Sequence, residues 1–321
     1  MRTSSDLLGV WADAADLTGR FYAAANGHLA GEGWFASMSW LPTTELNVCG
    51  LDPTADGRSG AELAAALGRQ QPALVFTSKV AAEASRQALL DVGFDVAPVL
   101  EPVMCSRTRP QPSGGPFEVR RCTTAEDVDI ALDLTAAAHQ VPRHFLSSSI
   151  GAVASAGRAS VWLAHQGDEP VSTVWLTRVG ACLGVMEMMT PPEHQGRGAG
   201  RALLSHALST EWDDTVDRSV LLGTPAGRRL YEALGFVAVD ESLSCVRGLD
   251  DAVRDAIGQP GSRIRPRHVR LVAERRILRR GPIRRSGLRA EVLSTRPERG
   301  TAWSPCPTLP PSDRGPGPGC P

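Results

Sequence analysis

Lysine is nearly missing from this chain: Lys79 is the single lysine in 321 residues. A Walker-type phosphate loop requires a lysine directly behind its glycines, and Lys79 follows Thr77-Ser78 instead, which excludes a P-loop nucleotidase. Cysteine is present without a pattern. The seven (Cys49, Cys105, Cys122, Cys182, Cys245, Cys306 and Cys320) form an odd set with no C-x-x-C spacing, so neither a zinc site nor a disulfide framework is signalled and no metal is expected. No apolar run approaches the ~20 residues that span a bilayer. The opening Met1-Arg2-Thr3-Ser4-Ser5-Asp6 leads into an acidic, Ala-rich stretch rather than a basic-then-apolar leader. These two observations together predict a cytoplasmic protein that does not enter membranes.

A hydrophobic fraction of 42% over 321 residues suits two ordinary domains, each with its own core. The net charge of −1 conceals an asymmetry: residues 1–249 carry 19 basic and 28 acidic side chains, whereas residues 250–321 carry 15 arginines and 7 acids. Prolines and glycines suit neither a helix nor a sheet interior, so Pro110-Gln111-Pro112-Ser113-Gly114-Gly115-Pro116 reads as a linker. The expected organisation is a domain over 1–109, a linker over 110–116, a second domain over 117–248 and an Arg/Pro/Gly-rich tail over 249–321. The tail holds one helical candidate, His268 to Arg280, but its composition cannot support a core and it reads as a disordered extension. Binding of nucleic acid through this basic tail is the lesser alternative.

Residues 117–248 alternate between sheet and helix signals. Phe117 to Arg121 is a strand candidate, and Thr124-Ala125-Glu126-Asp127 opens a helix with a hydroxyl cap and early acids. Val161 to Ala164 and Val171 to Thr177 are strands joined across Gly167-Asp168, and Cys182 to Met189 is a third. Arg201 to Thr210 is helical, Val220 to Leu222 a short buried strand, Ala226 to Leu234 a helix stopped by Gly235, and Phe236 to Val246 a final strand.

The main chemical signal lies where the third strand gives way to a helix: Thr190-Pro191-Pro192-Glu193-His194-Gln195-Gly196-Arg197-Gly198-Ala199-Gly200-Arg201. Glycines at 196, 198 and 200 permit tight turns and close backbone approach, and the unpaired amides of the following helix favour an anion such as a pyrophosphate. A dinucleotide fingerprint fails here, because Arg201 occupies its third glycine position. The pattern Q-x-x-G-x-G, Gln195 to Gly200, instead resembles the acyl-CoA loop of the GNAT superfamily of N-acetyltransferases. The later Thr224-Pro225-Ala226-Gly227-Arg228-Arg229-Leu230-Tyr231-Glu232-Ala233-Leu234-Gly235-Phe236 is similar to that family's tyrosine-bearing helix, in the family's order.

The resemblance implies an α/β (α+β) fold, with a mixed central sheet flanked by helices. It also implies acetyl-CoA as cosubstrate and transfer of its acetyl group to the primary amine of a small molecule or peptide. A protonated amine, with a pKa of about 10 for a lysine-like group, must lose its proton to attack, and the departing thiolate must gain one. Tyr231 matches the family's usual acid. Glu187 is the candidate base, a carboxylate interrupting the apolar Gly184-Val185-Met186-Glu187-Met188-Met189, where burial is costly unless it is paired. By the same resemblance, Met188, Met189 and Thr190 bind the pantetheine through their backbone. Gln195, Gly196, Arg197, Gly198, Ala199, Gly200 and Arg201 hold the pyrophosphate, and Thr224 stands where many members have an asparagine on the cofactor side. The acceptor is expected over 135–150, where His139, Gln140, Arg143 and His144 are polar handles. The rival reading keeps the loop without turnover: a non-catalytic acyl-CoA-binding regulatory module.

Residues 1–109 look like a worn copy of the second domain, which makes the whole a tandem. Leu74-Val75-Phe76-Thr77 and the later Leu90-Asp91-Val92-Gly93-Phe94 mirror Val220 to Phe236, with Leu89 in the place of Tyr231. Upstream, Asp56-Gly57-Arg58-Ser59-Gly60-Ala61 is set against Gln195 to Gly200, so that Ser59 replaces Gly198 and Ala61 replaces Gly200. Cβ atoms at two of the three open positions, and Asp56 in place of Gln195, leave one acetyl-CoA per chain, in the second domain.

Overall fold

The computed structural model describes residues 4–22, 27–41, 44–68, 71–139 and 142–247. The tail, with its helical candidate and with Cys306 and Cys320, lies outside them, as does Gln140.

The first half begins with helix α1 (Ser4–Tyr22), followed by strands β1 (His28–Gly31), β2 (Trp34–Met38) and β3 (Asn47–Leu51), then α2 (Gly57–Leu67), β4 (Ala73–Ser78), α3 (Glu83–Leu90) and β5 (Asp95–Ser106). The second half runs β6 (Glu118–Arg121), α4 (Ala125–His139), α5 (Arg143–Ser148), α6 (Ile150–Ser155), β7 (Ala159–Gln166), β8 (Glu169–Val179) and β9 (Cys182–Met189). It continues through a 3-10 turn, Pro192–His194, to α7 (Ala199–Glu211), β10 (Arg218–Leu222), α8 (Arg228–Glu232) and β11 (Val237–Arg247).

Local chemistry accounts directly for two of these boundaries. The Thr124 hydroxyl accepts from the amide of Asp127 at 3.1 Å while the Asp127 carboxylate accepts from the Thr123 and Thr124 amides, a reciprocal cap that starts α4. Gly167, at φ +62°, turns β7 into β8. Period-2 alternation then divides the strands between two layers. Trp162 and Ala164 of β7 face α7, while Val161 and Leu163 face α4 to α6. In β4, Leu74 and Phe76 face α1, and Ala73 and Val75 face α2 and α3.

All eleven strands join one mixed sheet, in the order β1-β2-β3-β4-β11-β5-β10-β9-β8-β7-β6. The order has an internal symmetry. Equating β1 to β5 with β7 to β11 makes the run from β1 to β7 read the same from either end. In each half the third strand of the set pairs parallel with the fourth, β3 with β4 and β9 with β10. The fifth strand then leaves its own half: β5 pairs antiparallel with β10, and β11 pairs antiparallel with β4. Each half thus completes its sheet with the other's last strand, and the stretches expected as separate domains share one hydrogen-bonded ladder. Arg247 closes the exchange. Its guanidinium donates to the carbonyls of Leu67, Gly68, Gln71 and Val92 in the first half and lies 4.4 Å from the centre of the Phe94 ring.

The repeat holds at atomic detail after α3 and α8. Phe94 N donates to Leu89 O at 3.1 Å and Phe236 N to Tyr231 O at 3.0 Å, across Gly93 and Gly235 at φ +89° and +86°. The expected alignment of the upstream loops needs correction. Asp56 is the N-cap of α2 and Gly198 the N-cap of α7, so Asp56 corresponds to Gly198 and Ser59 to Arg201, three positions from the sequence-based matching. The starts of the two helices, rather than likeness of residue type, fix that register.

Candidate active site

The loop from Thr190 to Gly198 is tied at its base and open at its end. Ser172 Oγ donates to Met189 O at 2.9 Å and lies 2.8 Å from Thr190 Oγ1, and Gln195 Nε2 donates to Thr190 O at 2.7 Å. Gly196 and Gly198 then take φ of +78° and +93°, a region that costs a side chain about 1–2 kcal/mol. No side chain caps α7. Its first amides therefore face outward at the positive end of the helix dipole, between the exposed Arg197 and Arg201. The matching end of α2 is closed: the Asp56 carboxylate accepts from Ser59 N at 2.9 Å, and Ser59 Oγ accepts from Asp56 N. These bonds hold the Asp56 carboxyl below the usual carboxylate range. One helix start is thus without a side-chain cap, and its counterpart carries a carboxylate of its own.

Strand β9 bends just before this loop. Its ladder with β8 shifts register between Thr173–Met189 and Trp175–Met186, and Glu187, inside the shift, has φ +42°. With β10 it pairs only from Cys182 to Gly184, and beyond that point the two strands share no ladder. A cavity of about 450 Å³ occupies the opening, with Val185 to Met189 on one side and Val220 to Ala226 on the other.

Both expected catalytic side chains line this cavity, together with Met188, Met189, Gln195 and Thr224. Thr190 and the run from Gly196 to Arg201 lie outside its lining; Gly196 to Gly198 and Arg201 are exposed, Thr190 and Gly200 half-buried and Ala199 buried. Tyr231, 9% exposed, rests against Gly223 and Gly227, and a Cβ at 227 would come within 2.7 Å of its ring. Thr224 Oγ1 accepts from Gly227 N at 3.3 Å and fixes that turn. Glu187, 7% exposed, is held at both oxygens: Tyr22 OH donates to Oε1 at 2.5 Å, and His139 Nε2 is 2.6 Å from Oε2.

Sequence reasoning named His139 only as one of four handles, and missed Tyr22. Arg143 is instead paired with Asp129 and Asp133, and His144 stacks edge-on against Phe145. The first half also supplies the buried Glu45 and Glu101, which face the cavity and accept from Thr44 Oγ1 and Ser244 Oγ. No lysine or arginine is among the described residues lining the cavity. Thiol chemistry has no footing in the described residues. Burial pushes Cys122 up to about 12 and Cys245 to about 11, and raises Cys49, Cys105 and Cys182 as well, so none is poised as a thiolate.

Comparison with known proteins places this geometry in a class. Residues 157–238 match the family model described as "Acetyltransferase (GNAT) domain". A GCN5-related N-acetyltransferase from Kribbella flavida superposes with a TM-score of 0.54 at 13% identity, over 74% of this chain and 95% of that one. A conserved protein of Staphylococcus epidermidis, described as functionally unknown, superposes with a TM-score of 0.50 at 10% identity, over 69% and 93%. Among curated proteins none matches in sequence. At these identities the superpositions speak for the fold, and the family match speaks for the segment from the end of α6 into β11. Residues 157–238 thus match an acetyltransferase (GNAT) domain model, and the fold is α/β, with a mixed sheet flanked by helices. Among the described residues no helix is long and apolar enough to cross a membrane.

Proposed function

We propose that the second half transfers an acetyl group from acetyl-CoA to a primary amine by direct attack. The observation that carries this reading is that Glu187 and Tyr231 line the same cavity, at the point where β9 and β10 part. The open end of α7 binds the pyrophosphate, and the backbone at Met188 to Thr190 receives the pantetheine, which brings the thioester into that cavity. Glu187 takes the proton from the acceptor ammonium. The freed nitrogen lone pair attacks the thioester carbonyl carbon and the C–N bond forms; the C–S bond breaks as the thiolate takes the Tyr231 hydroxyl proton, and the second proton shed by the nitrogen restores the Tyr231 hydroxyl. The raised cysteines favour direct attack over an acyl-cysteine intermediate. Three buried acidic side chains, Glu45, Glu101 and Glu187, and no lysine or arginine among the described lining residues, suit an acceptor that arrives as a cation.

The test is thiol release from acetyl-CoA across a panel of amino sugars, amino acids, peptide termini and polyamines, with wild type and Tyr231→Phe. A productive amine should accelerate release, and Tyr231→Phe should lower kcat by roughly 10²-fold with acetyl-CoA affinity unchanged. Tight binding of acetyl-CoA with no accelerating amine would favour the non-catalytic acyl-CoA module instead. Wild-type turnover in Tyr231→Phe would remove the tyrosine as acid.

A further inference from the structure

The chain has two tyrosines, and both line the same cavity although 209 positions separate them. Tyr231 belongs to the half that carries the loop, whereas Tyr22 is the last residue of α1 in the other half. We infer that α1 of the first half completes the active site of the second, with Tyr22 as the positioning residue that orients the Glu187 carboxylate. The inference rests on the reading of Glu187 as base and adds the device that aims it.

Four observations place that hydroxyl where it is. Ala14, Leu17, Thr18 and Tyr22 recur at helical spacing and all line the cavity, so one face of α1 forms its wall. The helix lies close on β9 because Gly184 has no side chain; a Cβ there would sit 2.9 Å from Leu17 Cδ2. Two polar anchors fix α1 to the second half. Trp11 Nε1 donates to Asp240 Oδ2 of β11 at 3.1 Å, and Asp13 Oδ2 is 2.5 Å from Arg218 Nε of β10. At the far end, Phe21 meets both Tyr22 and Trp175 edge-on, which seats the last turn of the helix in the core.

Glu187 requires such a device, because the backbone turns at φ +42° there and leaves the ladder register of its neighbours. With Tyr22 on one oxygen and His139 on the other, rotation of the carboxylate is arrested. The titratable groups facing it are Tyr22 from α1 and His139 from α4, with Glu45, Glu101 and Tyr231 across the cavity. A hydrogen bond to the ionised form favours that form, so loss of the Tyr22 hydroxyl should make Glu187 easier to protonate.

The test uses the full chain and its productive amine. Tyr22→Phe should lower kcat by about tenfold, the size expected for one hydrogen bond to a charged group, and leave the KM for acetyl-CoA unchanged. The acidic limb of its pH–rate profile should move to higher pH. Replacement of Tyr22 by 3-fluorotyrosine keeps the shape and strengthens the donor, and should move the limb the opposite way; it also carries the test if Tyr22→Phe does not fold. Glu187→Gln separates the two readings. An acidic limb that survives in Glu187→Gln removes Glu187 as base, and the role of Tyr22 falls with it. A limb lost in Glu187→Gln but unmoved by either change at Tyr22, with kcat at the wild-type level, leaves the base standing and overturns the positioning role alone.

Discussion

Replacing Gly198 with aspartate would give α7 the cap that α2 already has. In α2 the Asp56 carboxylate accepts from the third helical amide, that of Ser59, at 2.9 Å. At position 198 the same group would reach the amide of Arg201 and set a negative charge where the proposed pyrophosphate binds. Two like charges about 4 Å apart repel by about 1 kcal/mol in bulk water and about 4 kcal/mol at the effective dielectric of a protein surface. At 1.4 kcal/mol per decade, acetyl-CoA affinity should fall between about fivefold and about 700-fold. Space is not the obstacle, since a Cβ at 198 meets only the Phe117 ring, at 3.9 Å. Backbone strain is the confounder, because φ +93° costs a non-glycine residue about 1–2 kcal/mol. Gly198→Asn carries the same strain and nearly the same shape without the charge, so the ratio of the two affinities isolates the electrostatic part. Calorimetric titration with acetyl-CoA, after a thermal melt has shown both variants folded, measures that ratio. It should shrink as salt rises, since the Debye length is only about 8 Å at physiological ionic strength. Equal affinities for folded Asp and Asn variants at low salt would refute the placement of an anion at this helix end.

Two further outcomes follow from the exchanged strands and the two unlike helix ends. Arg247→Ala should destabilise the protein by about 3 kcal/mol or more, because it strips the donor from four carbonyls of the first half. For a folded unit of this size that is a drop of roughly 6–12 °C in Tm, and calorimetry showing a far smaller shift would deny Arg247 its role as a clasp. Equilibrium dialysis of the full chain should find one acetyl-CoA bound, because Asp56 already occupies the amides of α2. A second bound molecule would mean that the first half is a working cofactor site.

Much of the second half was legible from residue order. Strand β9 matched its expected limits of Cys182 to Met189, and α7 and β10 lay within two residues of expectation, because apolar alternation and glycine turns are local signals. The loop glycines announced tight turns by themselves, and Gly196 and Gly198 take positive φ. Glu187 stood out because a lone carboxylate inside an apolar strand demands a partner. The helix bearing Tyr231 was found but overextended: Thr224 to Gly227 form a turn, and α8 begins at Arg228.

The partners were another matter. That Glu187 meets Tyr22 across 165 positions and His139 across 48 depends on how α1 and α4 pack on the sheet, and no periodicity in either helix names the strand beneath it. The crossing of β5 and β11 into each other's half was equally hidden. Alternation tells a strand which face is buried, but the edge it pairs with is chosen by what the rest of the chain leaves open. The register of Asp56 against Gly198 was decided by where the two helices begin, not by likeness of letters. Sequence alone determined most elements of the second half, the glycine turn before α7 and the two side chains singled out in the cavity wall. Tertiary structure alone decided that the first half builds a wall of the cavity, because a hydroxyl becomes part of a site only when packing carries it to within hydrogen-bond reach of its acceptor.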